Sequence, residues 1–200
     1  MSEGQIIVVS APSGSGKDTV VNNLLSINPR VSPSISYTSR PPRQNETEGV
    51  HYFFVPKSRF EEMIEGKEFA EYDYYQGDYY GTSAAKVEEL LQSGRDAVFK
   101  ITIKGACAVR ERFPRAVLVF LIPPSFEELE RRLRKRGTET DDKIKGRLAE
   151  AKREIRSIGL FDYFVVNDDA AAAAERLNCI LVAEKCRVRA QNDFQTIIIP

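Results

Sequence analysis

Residues 11–19 read Ala-Pro-Ser-Gly-Ser-Gly-Lys-Asp-Thr and directly follow the apolar run Ile-Ile-Val-Val at 6–9. With two departures, they match the phosphate-binding pattern G-x-x-x-x-G-K-[ST], which lies between a buried strand and the N-terminus of a helix. Gly14 and Gly16 allow backbone N–H groups to turn inward, and Lys17 adds a positive charge for the β- and γ-phosphates. The stretch predicts a loop that binds a nucleoside triphosphate.

The two departures concern the first and the last position of that pattern. Ala11 replaces the first glycine, and Asp18 replaces the hydroxyl residue that touches Mg²⁺ in the usual motif. An ordinary glycine-rich turn is the alternative interpretation, and the strand–loop–helix context favours the phosphate site. The residues of this loop that are predicted to contact the nucleotide are Ala11, Pro12, Ser13, Gly14, Ser15, Gly16, Lys17, Asp18 and Thr19.

Composition limits the possible classes of function. A chain of 200 residues suits one domain with insertions, and 29 basic side chains balance 29 acidic ones. Because the net charge is zero, we expect no nucleic-acid partner and no anionic membrane surface. The three cysteines lack metal-binding spacing, and the single histidine, His51, excludes an internal multi-histidine metal site. With no apolar run near 18 residues and no leader, we expect a cytoplasmic protein.

The order of predicted elements indicates an α/β fold. Strands at 5–10, 97–103, 116–122 and 163–166 alternate with helices, which predicts a three-layer P-loop NTPase fold with a central parallel sheet. The ligand is then expected at the carboxyl ends of the strands.

The predicted units are a core, an insertion, a lid and a tail. The core comprises residues 1–31, 84–124 and 156–186. The insertion at 32–83 is predicted to be small and β-rich, because short alternating pieces lie among four prolines and seven of the eight tyrosines. Residues 125–155 form the predicted helical lid, and the structure of the tail at 187–200 does not follow from the sequence.

Residues 36–43 read Ser-Tyr-Thr-Ser-Arg-Pro-Pro-Arg. The two prolines hold the chain near a polyproline II conformation, so that Arg40 and Arg43 project to similar sides. A pair of guanidinium groups suits a phosphate monoester, which each group can bind with two hydrogen bonds. Taken alone, the stretch is equally compatible with a solvated turn that carries two surface arginines.

Several further motifs follow in a fixed order and together resemble the guanylate kinase family over residues 5–185. They are S-x-T-x-R-x-x-R at 36–43, G-x-x-Y-x-F at 49–54, Glu71, Y-G-T at 80–82 and R-G-T-E-T at 136–140. The resemblance implies ATP-dependent phosphorylation of GMP, and of dGMP, to GDP in purine nucleotide metabolism and GMP recycling. It also implies that Mg²⁺ accompanies the ATP.

The resemblance assigns the acceptor nucleotide, GMP, to the insertion. By similarity, its phosphate is bound by Arg40, Arg43, Tyr52 and Tyr80, and Ser36 and Thr82 donate to guanine O6. Glu71 would accept from the N1–H and the exocyclic amino group of guanine, a pair of donors that adenine lacks. Without these neighbours, Glu71 would be interpreted as an exposed strand carboxylate.

The arginine-rich segment 125–158 resembles the mobile lid of the family. By similarity, Arg136 and Arg147 reach over the ATP phosphates and act with Lys17 as catalytic groups that stabilise charge on the transferred phosphoryl. The other lid cations, Arg131, Arg132, Arg134 and Lys135, are expected on a solvated helix face. Asn167 matches the adenine-side segment of the family, although Asn-Asp is also typical of a turn or a helix cap.

The chain departs from the family on the strand after the insertion. The usual pattern is close to D-x-D-x-Q-G, whereas this chain has Lys100, Thr102 and Lys104 at those positions. We hypothesise that Asp18 holds Mg²⁺, directly or through water, because an aspartate beside phosphates is repelled unless a divalent cation lies between them. Alternatively, Asp18 caps the helix and Thr19 provides the metal-binding hydroxyl.

Two other functions are compatible with the sequence. The missing strand acids favour a guanylate-kinase-like binding module without turnover, but the retained Gly16-Lys17 pair and the arginines argue against it. A P-loop kinase of another phosphorylated substrate is also possible, although Glu71, Ser36 and Thr82 together favour a guanine. The sequence does not distinguish a monomer from a homo-oligomer.

Overall fold

The computed structural model describes residues 4–75, 77–135 and 140–187. The strands in these ranges are β1 (Ile6–Ser10), β2 (Val31–Pro33), β3 (Tyr37–Thr38), β4 (Phe53–Phe54), β5 (Phe69–Tyr75), β6 (Asp78–Ser83), β7 (Asp96–Lys100), β8 (Val117–Ile122) and β9 (Tyr163–Val166). The helices are α1 (Lys17–Ile27), α2 (Lys57–Glu65), α3 (Ala84–Gln92), α4 (Ile103–Arg112), α5 (Phe126–Lys135), α6 (Asp141–Ile155) and α7 (Ala170–Lys185), and a 3-10 turn covers Arg156–Leu160.

The larger sheet is fully parallel, with the strand order β2-β7-β1-β8-β9. Helices cover both faces of this sheet, and its strands are therefore apolar on both sides. On one face α1 and α7 pack with Val9, Leu24 and Leu177, and on the other face Val8 and Phe99 pack in a second cluster. This arrangement confirms the predicted three-layer α/β fold with a central parallel sheet.

The smaller sheet has the order β4-β3-β6-β5 and is mostly antiparallel. Helix α2 covers it through Phe60, whose ring stacks on Phe69 at 4.4 Å and on Tyr79 at 5.1 Å between centroids. The antiparallel pairing of β5 with β6 sets Glu71 opposite Thr82. The register of one hairpin therefore brings two predicted site residues together.

Helices α5 and α6 pack on each other through a small core of Leu129, Leu133 and Ile144. This pair lies against the loop after β1: a Cβ on Gly14 would lie 2.7 Å from Leu133 Cδ2. Gly14 also has a φ of +90°, a conformation that favours glycine. The glycine therefore permits both the turn and the close approach of the helix pair.

The structure differs from the predicted elements mainly at short strands and element ends. Neither β2 nor β6 was predicted, because a three-residue strand such as β2 has no readable periodicity and β6 contains Gly81. The strand predicted to reach residue 103 ends at Lys100, and Thr102 instead caps α4 by accepting from the N–H of Gly105 at 3.2 Å. Arg136 and residues 188–200 of the tail lie outside the described residues.

In the three ranges that the structure describes, no helix has both the length and the apolar character needed to cross a membrane.

Candidate active site

The loop between β1 and α1 lies at the carboxyl edge of the parallel sheet. Gly16 has a φ of +84° and precedes the first residue of α1, and no side chain caps this helix N-terminus among the described residues. The first N–H groups of a helix have no partner within it, and they attract anions. The loop is therefore shaped to receive phosphate oxygens on its backbone.

Two polar side chains hold this loop in place: Asn167, which follows β9, and Arg132 of α5. Asn167, which is buried at the end of β9, donates from Nδ2 to the carbonyl of Ser15 at 2.7 Å. Arg132 donates to the same carbonyl at 3.4 Å and to the Asn167 carbonyl at 2.9 Å. A Cβ on Gly16 would lie 2.6 Å from Asn167 Nδ2, so this contact also requires a glycine.

Arg132 therefore does not belong to a solvated helix face, and that expectation was wrong for this residue. Its side chain is 23% exposed and also pairs with Glu128 at 2.8 Å, whereas Arg131 on the same helix is 64% exposed. Neighbouring residues on a helix point about 100° apart, so only one of the two can reach the loop. The sequence contained no sign of which arginine faced inward.

Lys17 lies at the junction of the loop and the sheet. Its Nζ donates to the carbonyl of Ile101 at 3.1 Å. Burial lowers the pKa of Lys17; the charge of Lys100 adds to this effect, while Asp18 opposes it. The ammonium of Lys17 is thus held beside the end of β7, close to two further charged groups.

Asp18 forms an ion pair with Lys100 across 3.1 Å, and its side chain is 79% exposed. The two residues are far apart in sequence, and the pairing arises because α1 starts beside the end of β7. The acid in the loop and the base on the strand, which were two separate departures from the family pattern, are therefore in direct contact.

A cavity of about 340 Å³ lies between the loop, the end of β7 and the smaller sheet. It is lined by Lys17, Ser36, Arg40, Arg43, Tyr52, Glu71, Asp73, Tyr75, Tyr80, Lys100, Ile101 and Thr102. Six of the seven residues predicted to bind GMP are in this lining, and the seventh, Thr82, touches it through Glu71. We call this space the acceptor cavity.

A buried acid lines the acceptor cavity. Glu71 is 6% exposed and accepts a hydrogen bond at 2.8 Å from Thr82 Oγ1, whose oxygen lies 3.3 Å from Ser36 Oγ. Burial raises the pKa of Glu71 to about 7; the hydrogen bond from Thr82 opposes this shift, and the charge of Asp73 adds to it. A carboxylate with two hydroxyls beside it presents the acceptors and donors that a guanine edge requires.

Two arginines, Arg40 and Arg43, also line the acceptor cavity. Arg40 is 9% exposed and donates from both terminal nitrogens to the carboxylate of Glu46, at 2.6 Å each. Glu46 also accepts from the N–H of Arg43 at 2.8 Å. The Arg40 guanidinium lies 5.2 Å from the ring centroid of Tyr52, and its Nε is buried without a hydrogen-bond partner among the described residues.

Sequence reasoning missed Glu46. It holds both arginines, and the hydrogen bonds from Arg40 are the main cause that lowers its pKa to about 2. Its position three residues after Arg43 was the available signal, because an acid so placed in a turn can reach back to a preceding N–H.

A second cavity, of about 370 Å³, lies on the other side of the loop, and we call it the donor cavity. It is lined by Gly14, Gly16, Thr19, Arg132, Lys135, Asn167, Asp168, Asp169 and Ala170. Above the loop, Arg147 of α6 donates to Ser13 Oγ at 3.3 Å. Among the predicted catalytic residues, Lys17 and Arg147 thus lie at the loop, and Arg136 is outside the described residues.

The oxygen atoms near the start of α1 fit a magnesium ion that arrives with a nucleotide. Mg²⁺ is usually held by one or two protein oxygens together with phosphates and water rather than by a complete protein cage. Asp18 offers an exposed carboxylate there and Thr19 an exposed hydroxyl. In the described part of the chain, no group of three or more His, Cys, Asp or Glu is arranged to hold a metal.

Comparisons with known proteins agree with this geometry. The sequence model of the family described as guanylate kinase matches residues 3–184. A guanylate kinase of Desulfitobacterium hafniense is 44% identical over 188 residues, with 94% of each chain covered. One of Neisseria meningitidis is 46% identical over 187 residues, which cover 94% of this chain and 90% of the relative.

The fold comparison gives the same family. The crystal structure of guanylate kinase from Anaplasma phagocytophilum has a TM-score of 0.79 and 31% sequence identity. The match covers 98% of this chain and 94% of that one. In sequence and in fold, therefore, the chain belongs to the guanylate kinase family.

Proposed function

We propose that this protein transfers the γ-phosphoryl group of ATP to the phosphate of GMP, giving ADP and GDP. Membership of the guanylate kinase family supports this activity. The observation that carries it is the acceptor cavity, whose lining combines a buried acid, Glu71, with two arginines and Lys17. The proposal includes dGMP as a substrate, a role in purine nucleotide metabolism and GMP recycling, and a place in the cytoplasm.

The guanine would be recognised at Glu71. The carboxylate would accept from N1–H and the exocyclic amino group, and Ser36 would donate to O6. Thr82 would turn its hydroxyl proton from Glu71 to O6 when GMP binds, because one hydroxyl donates only one hydrogen bond. AMP offers no such donor pair, so it would leave Glu71 buried and unpaired; sites of this kind discriminate by factors on the order of 10⁴. We assign the phosphate of GMP to Arg40, Arg43, Tyr52 and Tyr80.

The transfer itself needs no general base, because the attacking phosphate oxygen is already anionic. A bond forms between this oxygen and the γ-phosphorus, while the bond from that phosphorus to the β–γ bridging oxygen breaks. ADP leaves with the electron pair of the broken bond. We assign to Lys17, Arg136 and Arg147 the role of stabilising the negative charge that develops on the phosphoryl oxygens.

We assign the donor nucleotide to residues 11–19 and Asn167, with the adenine side in the donor cavity. Mg²⁺ would neutralise charge on the ATP phosphates when bound, and Asp18 would hold it directly or through water. Thr19 is the alternative ligand. Comparing the Mg²⁺ requirement of the wild type with that of Asp18→Ala, which has no oxygen in the side chain, tests the choice, and an unchanged requirement would exclude Asp18.

We further propose that residues 125–155 move as a lid over the core (1–31, 84–124 and 156–186), while residues 32–83 carry GMP. The contact of Arg147 with Ser13 supports this division, because it ties the lid to the phosphate loop at the point where the donor phosphates would lie. Closure would exclude water that otherwise hydrolyses ATP.

The proposed function is tested with an assay that couples ADP release to a readout, using ATP with GMP, dGMP, AMP, CMP or UMP. We expect turnover with GMP and dGMP far above AMP. Lys17→Met should abolish it, because the charge beside the transferred phosphoryl is lost. Binding of GMP without turnover would indicate a binding module, and turnover with another phosphorylated compound but not GMP would refute the assignment.

A further inference from the structure

Lys100 is a cation of the acceptor cavity, and neither the motif nor the family pattern accounts for it. It is the last residue of β7, and it lines the acceptor cavity together with Lys17, Arg40 and Arg43. Its side chain is 35% exposed, and its Nζ lies 3.1 Å from Asp18 Oδ1. The ammonium is therefore directed at the start of α1 rather than away from the site.

Lys100 adds to the positive charge that is concentrated at the acceptor cavity. Lys100 and Lys17 are close enough that each repels the other, as the lowered pKa of Lys17 reflects after the larger effect of its burial. The charges of Asp18 and Glu154 oppose this repulsion at Lys17. Four cations and two acids, Glu71 and Asp73, line the acceptor cavity, and cations that converge on a cleft are typical of sites for polyanions such as phosphates.

We propose that Lys100 is a catalytic residue of the phosphoryl transfer. Its ammonium contacts oxygens of the acceptor phosphate and of the transferred phosphoryl group. Asp18 is the positioning residue that holds the ammonium there. This inference rests on the proposed function, because the ligand is the pair of phosphates that meet during transfer from ATP to GMP.

Asp18 and Lys100 then act together, because the carboxylate of Asp18 positions the ammonium of Lys100. The family pattern resembled by this chain has an acid at position 100, whereas here the strand contributes a positive charge and the helix contributes the acid. The simpler explanation is that Lys100 only neutralises Asp18. In that case Lys100 would matter through Asp18 alone, and its removal would have no consequence once Asp18 is gone.

The two explanations are separated by measuring the effect of Lys100→Met on kcat in two backgrounds, the wild type and Asp18→Ser. If Lys100 contacts the phosphates, kcat falls by about 100- to 1,000-fold in the wild type, as for the loss of one charge-stabilising donor. It still falls in the Asp18→Ser background, by a smaller factor, because the ammonium has lost its positioning residue there. If Lys100→Met has no effect in the Asp18→Ser background, Lys100 serves only as a counter-ion and the proposal is wrong. Should Lys100→Met unfold below the assay temperature, Lys100→Gln takes its place.

Lys104 offers a matched control. Lys104 lies four residues after Lys100, and its ammonium pairs with Asp73 at 3.0 Å. Lys104 itself does not line the acceptor cavity. We expect Lys104→Met to keep kcat within about twofold, because a diffuse field acts on association more than on transfer. An equal loss in Lys104→Met and Lys100→Met would overturn the proposed contact. If the wild type does not turn over GMP at all, the proposed function fails first and this inference with it.

Discussion

The hydroxyl of Thr82 donates a 2.8 Å hydrogen bond to Oε1 of Glu71 and holds the carboxyl in place without neutralising its charge. The antiparallel pairing of β5 with β6 sets the two residues opposite each other. Because Glu71 is almost fully buried, its pKa rises to about 7. The group assigned to recognise guanine is thus half protonated at neutral pH in the free protein.

The affinity for GMP should therefore depend on pH. In the proposed complex guanine presents two donors to Glu71, so only the carboxylate form would bind it well. With a pKa of about 7, the ionised fraction increases about tenfold from pH 6 to pH 8, and we expect the KM for GMP to fall by about the same factor. The measurement is KM for GMP at several pH values with saturating ATP.

Glu71→Gln is the control for this dependence, because the phosphate of GMP also loses a proton near pH 6. The variant retains the titration of the phosphate and loses that of residue 71. A KM that falls equally steeply in wild type and in Glu71→Gln would show that Glu71 does not titrate in this range.

The same pKa shift predicts that Glu71 destabilises the free protein at high pH. In the folded state the carboxyl of Glu71 keeps its proton up to about pH 7, whereas in the unfolded state it loses the proton near pH 4.5. The free energy of unfolding therefore falls as the pH rises from 4.5 to 7 and above. The loss amounts to about 3 kcal/mol. Glu71→Gln should therefore be more stable than wild type at pH 8 and close to it at pH 4 in urea unfolding. An equal difference at both pH values would contradict this.

Gly105 determines how close Glu71 can lie to α4. A Cβ at this position would be 2.9 Å from Glu71 Oε2, shorter than real Cβ contacts. We expect Gly105→Ala to displace the carboxylate and raise the KM for GMP by at least tenfold, with the KM for ATP nearly unchanged. Gly146→Ala is the control, because nothing lies within 4 Å of that Cβ. A parallel rise of both KM values in Gly105→Ala would instead indicate general damage to the fold.

The parts of the site that follow from local sequence could be predicted. The phosphate loop needs only a buried strand, two glycines and Lys17, all within a dozen residues, and Arg40 and Arg43 are three residues apart. The parallel sheet followed from the alternation of strands and helices.

Contacts that depend on packing between distant segments could not be predicted. The pairing of Asp18 with Lys100 exists because α1 starts beside the end of β7, and the inward face of Arg132 depends on how α5 lies on the loop. In each case the residue types allowed a solvated side chain equally well. Only the arrangement of the elements decides the partner.

Asn167 should affect the donor nucleotide without affecting the acceptor. Its side chain fixes the Ser15 carbonyl on the donor side of the loop, and the loss of a buried hydrogen bond costs about 1–2 kcal/mol. We expect Asn167→Ala to raise the KM for ATP by about tenfold and to leave the KM for GMP within about twofold. Asn178→Ala removes a similar contact, with Asn28, and should change neither value. A larger effect on GMP than on ATP would contradict the assignment.

Glu46 should control how Arg40 is presented to the phosphate of GMP. Without its carboxylate, the buried guanidinium loses both of its 2.6 Å hydrogen bonds and becomes an uncompensated charge. We expect Glu46→Ala to lower the melting temperature and to raise the KM for GMP, because the guanidinium loses its fixed orientation.

Because the phosphate of bound GMP would replace the lost anion, GMP should raise the melting temperature of Glu46→Ala more than that of wild type. Thermal unfolding with and without saturating GMP measures this. Glu62→Ala is the matched control, since its pair with Arg59 is solvent-exposed and should contribute little. A smaller GMP-induced shift in Glu46→Ala than in wild type would mean that Arg40 does not bind the phosphate.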